Sequence, residues 1–303
     1  MSFVLKFAVL GGDLRQAAVA DLLASRGHRV FVWGLPKSTL SPKVTLASDW
    51  RDAVANADVL VLPLPASPDS RYLNVPLLQG EGEHPPCISQ ILKETPQGTL
   101  IAGGRFSAKI KEALEQTGHR YFDYFESEEL KQKNAVPTAE GAIEVLMREV
   151  PRTVRGLSVA VTGYGRVSKA LVSLLLAMGA KVTVMARKAV DLSHAKLLGC
   201  DTLLVENEGV TDALGSRFSV IFNTVPHCLF DARVLNGLSH ETVIVDLASA
   251  PGGVDVNAAK ALGIRAIWAL SLPGKYAPVT AGEIIGETVL LHVRECVKGG
   301  EEV

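Results

Sequence analysis

Short, continuous apolar runs alternate along this chain with longer stretches of helical period. In the first half the runs are Phe7 to Leu10, Arg29 to Trp33, Asp58 to Leu62 and Leu100 to Ile101. They have the unbroken Val/Ile/Leu character of strands buried on both faces. Helical patterns follow at Arg15 to Arg26, ended by Gly27, and at Ala108 to Gln116. The second half repeats the scheme. Its runs lie at Leu157 to Val161, Lys181 to Ala186, Thr202 to Val205, Val220 to Phe222 and Val243 to Asp246, and a helix leaves the turn at Gly163 and continues through Met178. Strands alternating with helices predict α/β architecture: two Rossmann-like, doubly wound domains with parallel sheets and a cleft between them.

The predicted boundaries are residues 1–136 for the first domain, 137–151 for a connecting helix and 152–280 for the second. The connector opens at Val136-Pro137-Thr138 and stops at Pro151. Before it, Glu126 to Asn134 reads as a separate charge-laced helix capped by Ser127. Ser67 to Pro86, rich in Pro, Gly and charge, reads as a surface loop. The last helix, 281–297, is long enough to return and pack on the first domain.

Composition narrows the function. With 303 residues, 48% hydrophobic, 21% charged and a net charge of -1, the chain is globular, with no charge excess suited to nucleic acid or an anionic membrane. Its mean hydropathy of +0.23 comes without any run of 18 apolar residues. The N-terminal apolar segment is broken by Lys6 and ends in a glycine turn, as a strand does, so a cytoplasmic location is expected. Four scattered cysteines without a CxxC pair predict neither a disulfide framework nor a metal site.

The sharpest motif is Val159-Ala160-Val161-Thr162-Gly163-Tyr164-Gly165-Arg166-Val167-Ser168. A strand, a GxGxxS turn and a helix make a dinucleotide site: Gly163 for the tight turn, Gly165 for close backbone approach to a pyrophosphate, and Ser168 as the small packing residue. After the next strand stand Arg187 and Lys188, where an NAD site carries a carboxylate for the ribose. Cations there favour a 2′-phosphate, so NADP is expected first and NAD second. Asn223, Thr224 and Pro226, then Asp246 and Ala248, follow later strands and are the other cofactor candidates; turn chemistry explains the first three equally well.

The first domain carries Gly11-Gly12-Asp13-Leu14-Arg15-Gln16 at the corresponding place. Asp13 opposes a pyrophosphate, so no second dinucleotide is expected. Arg15 suits a small carboxylate, or pairs with Asp13. Arg105, after Gly103-Gly104, again puts a cation at the carboxyl end of a strand, where open α/β sheets bind ligands. Acid–base candidates are Glu126, Lys131 and His227, none with a distinguishing spacing. No Ser/His/Asp order and no HExxH are present, so hydrolase and zinc chemistry lack the necessary groups.

Together, GGDLRQ at 11–16, ESEELKQKNAVPTAEGAI at 126–143, GYGRVS at 163–168, NTVP at 223–226, DLASAPGG at 246–253 and LPGKYAPVTAG at 272–282 resemble the dipicolinate synthase A-subunit family in the right order over nearly the whole chain. The resemblance implies NAD(P)-dependent dehydrogenation of dihydrodipicolinate, or of its hydroxy-tetrahydro precursor, to dipicolinate in the mother cell of a sporulating bacterium. It also implies a flavoprotein-like partner, the dipicolinate synthase B-subunit; a homo-oligomer is expected as well. A dicarboxylate needs cationic anchors. Arg15 and Arg105 are the candidates, with Ser127, Asn134 and Thr138 as neutral partners. Two other readings are a non-catalytic NADP-binding partner protein and a D-2-hydroxyacid-type dehydrogenase. The second lacks a late Glu–His pair in a strand-end setting, because Glu287 and His292 fall in the terminal helix.

Overall fold

The computed structural model describes residues 4–78, 84–205, 214 and 217–298. The chain forms two compact units, one from the residues up to Asn134 together with those from Ala277 onward, the other from Ala135–Tyr276. Each unit is built on a six-stranded parallel sheet.

The first sheet contains β1 (Lys6–Leu10), β2 (Arg29–Trp33), β3 (Thr45–Leu46), β4 (Val59–Val61), β5 (Leu100–Gly103) and β6 (Tyr121–Asp123), in the order β3-β2-β1-β4-β5-β6. The second contains β7 (Ser158–Thr162), β8 (Lys181–Ala186), β9 (Asp201–Leu204), β10 (Val220–Asn223), β11 (Val243–Asp246) and β12 (Arg265–Trp268), in the order β12-β11-β10-β7-β8-β9. Read from the other edge, this is the same doubly wound order. In both sheets the strand order reverses beside the first strand, and ligands of such sheets bind in the crevice outside that point.

The apolar runs are fully inside: Phe7 to Leu10, Val59 to Val61 and Val159 to Val161 are all 0% exposed. Side chains alternate across the sheet. Phe7 and Val9 face helices Leu14–Ser25 and Pro278–Lys298, while Ala8 and Leu10 face helices Trp50–Val54, Ile88–Glu94 and Ala108–Thr117. The C-terminal helix lies close on Leu14–Ser25, since a Cβ on Gly282 would overlap the Arg15 carbonyl oxygen and one on Gly286 would come within 2.7 Å of Leu22 Cδ2.

Three strands escaped the sequence pattern. β3, β6 and β12 are short edge strands, and no residue in them is fully buried, so they lack the apolar run that marks the others. The two helices predicted around residue 135 are one, Glu128–Glu149, which contains Pro137. Proline removes one N–H from the ladder without breaking the helix here, and the second half of the helix is anchored by Ala139, Ala142 and Leu146, all buried against the β7 side of its unit. The loop after Ser67 also differs from a solvated one. Leu73 is 2% exposed, and the Asn74 carbonyl accepts the Gly12 N–H at 2.7 Å. Among the described residues no helix is long and apolar enough to cross a membrane.

Candidate functional site

The turn after β7 is open. Gly163 has φ +83°, and a Cβ there would press on Thr224 Oγ1 at 2.7 Å, so the position needs glycine for both conformation and space. Gly165 caps helix Arg166–Ala177 with no side-chain hydrogen bond and no acidic residue in the first turn. A Cβ on Gly165 would meet no atom within 4 Å. Nothing in the protein requires glycine at 165; what it leaves is bare backbone at the positive end of a twelve-residue helix.

Beside this turn lies a cavity of about 210 Å³, lined by Tyr164, Arg187, Lys188, Asp191 and His227 among others. Arg187 and Lys188 are exposed, and neither is paired with a carboxylate among the described residues. Burial pushes the Tyr164 hydroxyl up, so it stays protonated. Asp191, in the first turn of helix Ala189–Leu197, joins the site without belonging to any motif in the sequence. The cavity sits at the end of β8, the position that takes the adenosine ribose in this strand order. His227 lines this cavity together with Tyr164, Arg187, Lys188 and Asp191.

Beneath the turn three neighbouring strand ends are tied together. Thr162 Oγ1 donates to Asn223 Oδ1 at 2.6 Å, and Asn223 Nδ2 donates to Asp246 Oδ1 at 2.8 Å and to the Val225 carbonyl at 3.0 Å. Asp246 also accepts the N–H groups of Ala248 and Gly253, at 3.0 and 2.7 Å. A Cβ on Gly253 would overlap Asn223 Nδ2. Asn223 is 0% and Asp246 4% exposed. With these polar atoms turned inward, both residues shape the loops around the site. Ala248 likewise is buried. Ser168 is held by Thr224, Oγ to Oγ1 at 2.8 Å, and Thr224 in turn donates to the Thr162 carbonyl at 2.8 Å. Pro226 is exposed, and Arg166 and Val167 start the helix.

A model of the N-terminal domain of the dipicolinate synthase A-subunit matches residues 6–125. The dipicolinate synthase A-subunit of Bacillus subtilis is 30% identical over 295 residues, 94% of each chain. The chain belongs to the dipicolinate synthase A-subunit family. The crystal structure of the dipicolinate synthase A-subunit from Bacillus halodurans superposes with a TM-score of 0.84 at 27% identity, covering 96% of this chain and 99% of that one. A transhydrogenase from Sinorhizobium meliloti, at a TM-score of 0.70 and 14% identity over 96% and 93% of the two chains, shares the fold.

In this member of the dipicolinate synthase family, the substrate candidates of the first unit fare differently from one another. Asp13 caps helix Leu14–Ser25 and holds Arg15 through Nε at 2.9 Å and Nη2 at 2.8 Å; Arg15 Nη2 also donates to the Leu64 carbonyl at 2.7 Å. Arg15 is therefore a paired, nearly buried cation with only Nη1 unengaged among the described residues. Arg105 is exposed and makes no ion pair among them, its guanidinium lying 6.0 Å from the centre of the Phe125 ring. Its backbone is left-handed, φ +56°, a strained choice for a non-glycine residue. Asp123 holds it there by accepting the Arg105 and Phe106 N–H groups at 2.9 and 2.7 Å. Ser127 caps the long helix, accepting from Leu130 N at 3.2 Å. Asn134 and Thr138 lie one turn apart on that helix. Glu126 pairs with Lys111 at 2.7 Å and Lys131 with Glu128 at 2.8 Å, both at the surface. Ion pairs of that kind match the solvated role; Glu126 also lines, with Ser127, Asp123 and His292, a cavity of about 510 Å³ in the first unit, whereas Lys131 does not line it.

Proposed function

We propose that this chain is the NAD(P)-dependent dehydrogenase component of a dipicolinate synthase, oxidising dihydrodipicolinate or its hydroxy-tetrahydro precursor. The observation that carries the reading is the bare helix terminus at Gly165 beside the unpaired Arg187 and Lys188, in a member of this family. Backbone N–H groups at Tyr164 and Gly165 fit a pyrophosphate, and the two cations fit a 2′-phosphate. When bound, the nicotinamide supplies the hydride acceptor.

The protein's own role is positioning. Dehydrogenation removes a hydride from one ring carbon and a proton from a neighbouring ring position. Aromatisation to the pyridine makes that loss downhill, so fixing the ring matters more than a strong base. Arg105 and the remaining N–H groups of Arg15 are the carboxylate anchors of the first unit. From the hydroxylated precursor, water must leave first, taking the hydroxyl and a neighbouring proton. Asp191 supports NAD as a second reading, because a carboxylate near the ribose accepts its hydroxyls. A partner B-subunit, a cytoplasmic mother-cell location and a role in spore formation belong to the same reading.

The test is purified protein with the B-subunit, NADP+ or NAD+, and freshly generated precursor. Dipicolinate absorbance should rise together with reduced cofactor. No product with either cofactor overturns the reading. Product formed only when the partner supplies all turnover, with no reduced nicotinamide, favours a non-catalytic role for this chain.

A further inference from the structure

Among the described residues of the first unit, Gln16 is the side chain whose amide nitrogen and oxygen are both buried without a partner. Gln16 stands three residues after the helix cap Asp13, as Ser168 stands three residues after the cap Gly165. Ser168 reaches across to Thr224, at the end of β10, and is satisfied there. Gln16 faces the corresponding loop, after β4, and finds nothing. It is 2% exposed, and both its amide nitrogen and its amide oxygen are buried with no hydrogen-bond partner. A Cβ on Gly12 would overlap Gln16 Cγ and come within 3.0 Å of Pro63, so the side chain lies at the junction of the β1 and β4 ends.

The facing loop is already committed. The Leu62 carbonyl accepts from the Tyr124 hydroxyl at 2.9 Å, the Pro63 carbonyl from Gly104 N at 3.1 Å, and the Leu64 carbonyl from Arg15 Nη2 at 2.7 Å. Pro63 and Pro65 have no N–H to offer. A methionine of similar length would fill this place without an unmet amide, and an unpaired buried amide is destabilising. The amide lies where the strand order reverses between β1 and β4, the crevice that binds ligands in such sheets. The residue before it, Arg15, has an Nη1 that also lacks a partner among the described residues.

We propose that Gln16 is a specificity-determining residue for the acid substrate: its amide N–H donates to a carboxylate oxygen held at the β1/β4 crevice with Arg15 Nη1. Three side-chain torsions let the amide turn toward that oxygen without movement of the backbone. The inference rests on the reading that the substrate is a carboxylic acid, and the experiment separates the two.

The full chain is titrated with pyridine-2,6-dicarboxylate and with NADP+ by calorimetry, and its melting is followed with and without each. Gln16→Met should raise the melting temperature of the free protein, weaken the dicarboxylate about tenfold and leave NADP+ affinity unchanged. The isosteric Gln16→Glu, which sets like charge against the acid, should weaken it further, about 100-fold. Wild-type dicarboxylate affinity in both variants overturns the role of Gln16 while the substrate reading stands. A melting temperature lowered by Gln16→Met, with dicarboxylate affinity kept, assigns the amide to packing and overturns it too. Failure of the wild type itself to bind the dicarboxylate overturns the substrate reading and this inference with it.

Discussion

The turn after β1 and the turn after β7 begin alike. Each strand runs into a positive-φ glycine whose N–H returns to the neighbouring strand, Gly11 to Trp33 and Gly163 to Met185, both at 2.8 Å. They diverge at the helix cap, two residues further on. In the first unit Asp13 caps the helix with its own carboxylate, Arg15 neutralises that carboxylate, and Asn74 lays a carbonyl on Gly12. In the second, Gly165 leaves the helix end bare. The same strand order thus carries a self-satisfied terminus and an open one. A fold of this kind supplies a crevice, and the cap residue together with any backbone laid on the turn decides whether an outside anion can use the helix terminus.

The comparison breaks most sharply at Gly165. Gly165→Asp gives the second turn the first turn's cap, where a Cβ meets no steric obstacle. The helix should gain only a few tenths of a kcal/mol in a melt, while NADP+ binding falls by about 100-fold or more, because the carboxylate stands where the pyrophosphate must. Unchanged binding would mean that this turn is not the nucleotide site.

Next in size is the tie beneath the open turn. Asp246→Ala removes a buried carboxylate that accepts from the Asn223 amide and from the N–H groups of Ala248 and Gly253. It should cost about 3 kcal/mol in denaturant unfolding. A loss under about 1 kcal/mol would show that the network is not needed to hold the strand ends.

Arg187→Asp sharpens the cofactor choice. NADP+ affinity should fall about tenfold and NAD+ affinity hold or rise, as measured by titration of the two in parallel. Equal effects on both would take Arg187 away from the 2′-phosphate.

The smallest expected effect lies in the closed turn. Asp13→Ala loses the cap and the partner of Arg15, for about 1–2 kcal/mol in a chemical melt. It should not create nucleotide binding, because the Asn74 carbonyl still occupies the Gly12 N–H. NADP+ bound with a second stoichiometric site in this variant would show that Asp13 alone closes the turn.

Much of this was legible along the chain. The continuous apolar runs found the buried strands, because a strand covered on both faces leaves no polar alternation to confuse it. The glycine spacing marked the second turn, and Asp13 marked the first as different. The short edge strands were illegible, since they are too brief and too exposed to carry a pattern. The tie between Asn223 and Asp246 was illegible for a related reason. Polar residues at strand ends look the same in sequence whether they face a ligand or each other. Only the register, which sets Asn223 beside both Thr162 and Asp246, turns them inward.

The amino-acid sequence by itself determined the doubly wound architecture, the duplicated strand–glycine–helix turns and the chemistry at each cap, because these depend on local pattern and on residues a few positions apart. The tertiary structure decided which polar groups remain available. Partners that come from distant strands, Asp123 for the backbone of Arg105, Thr224 for Ser168, and none for Gln16, are set by which strand ends the sheet order brings together.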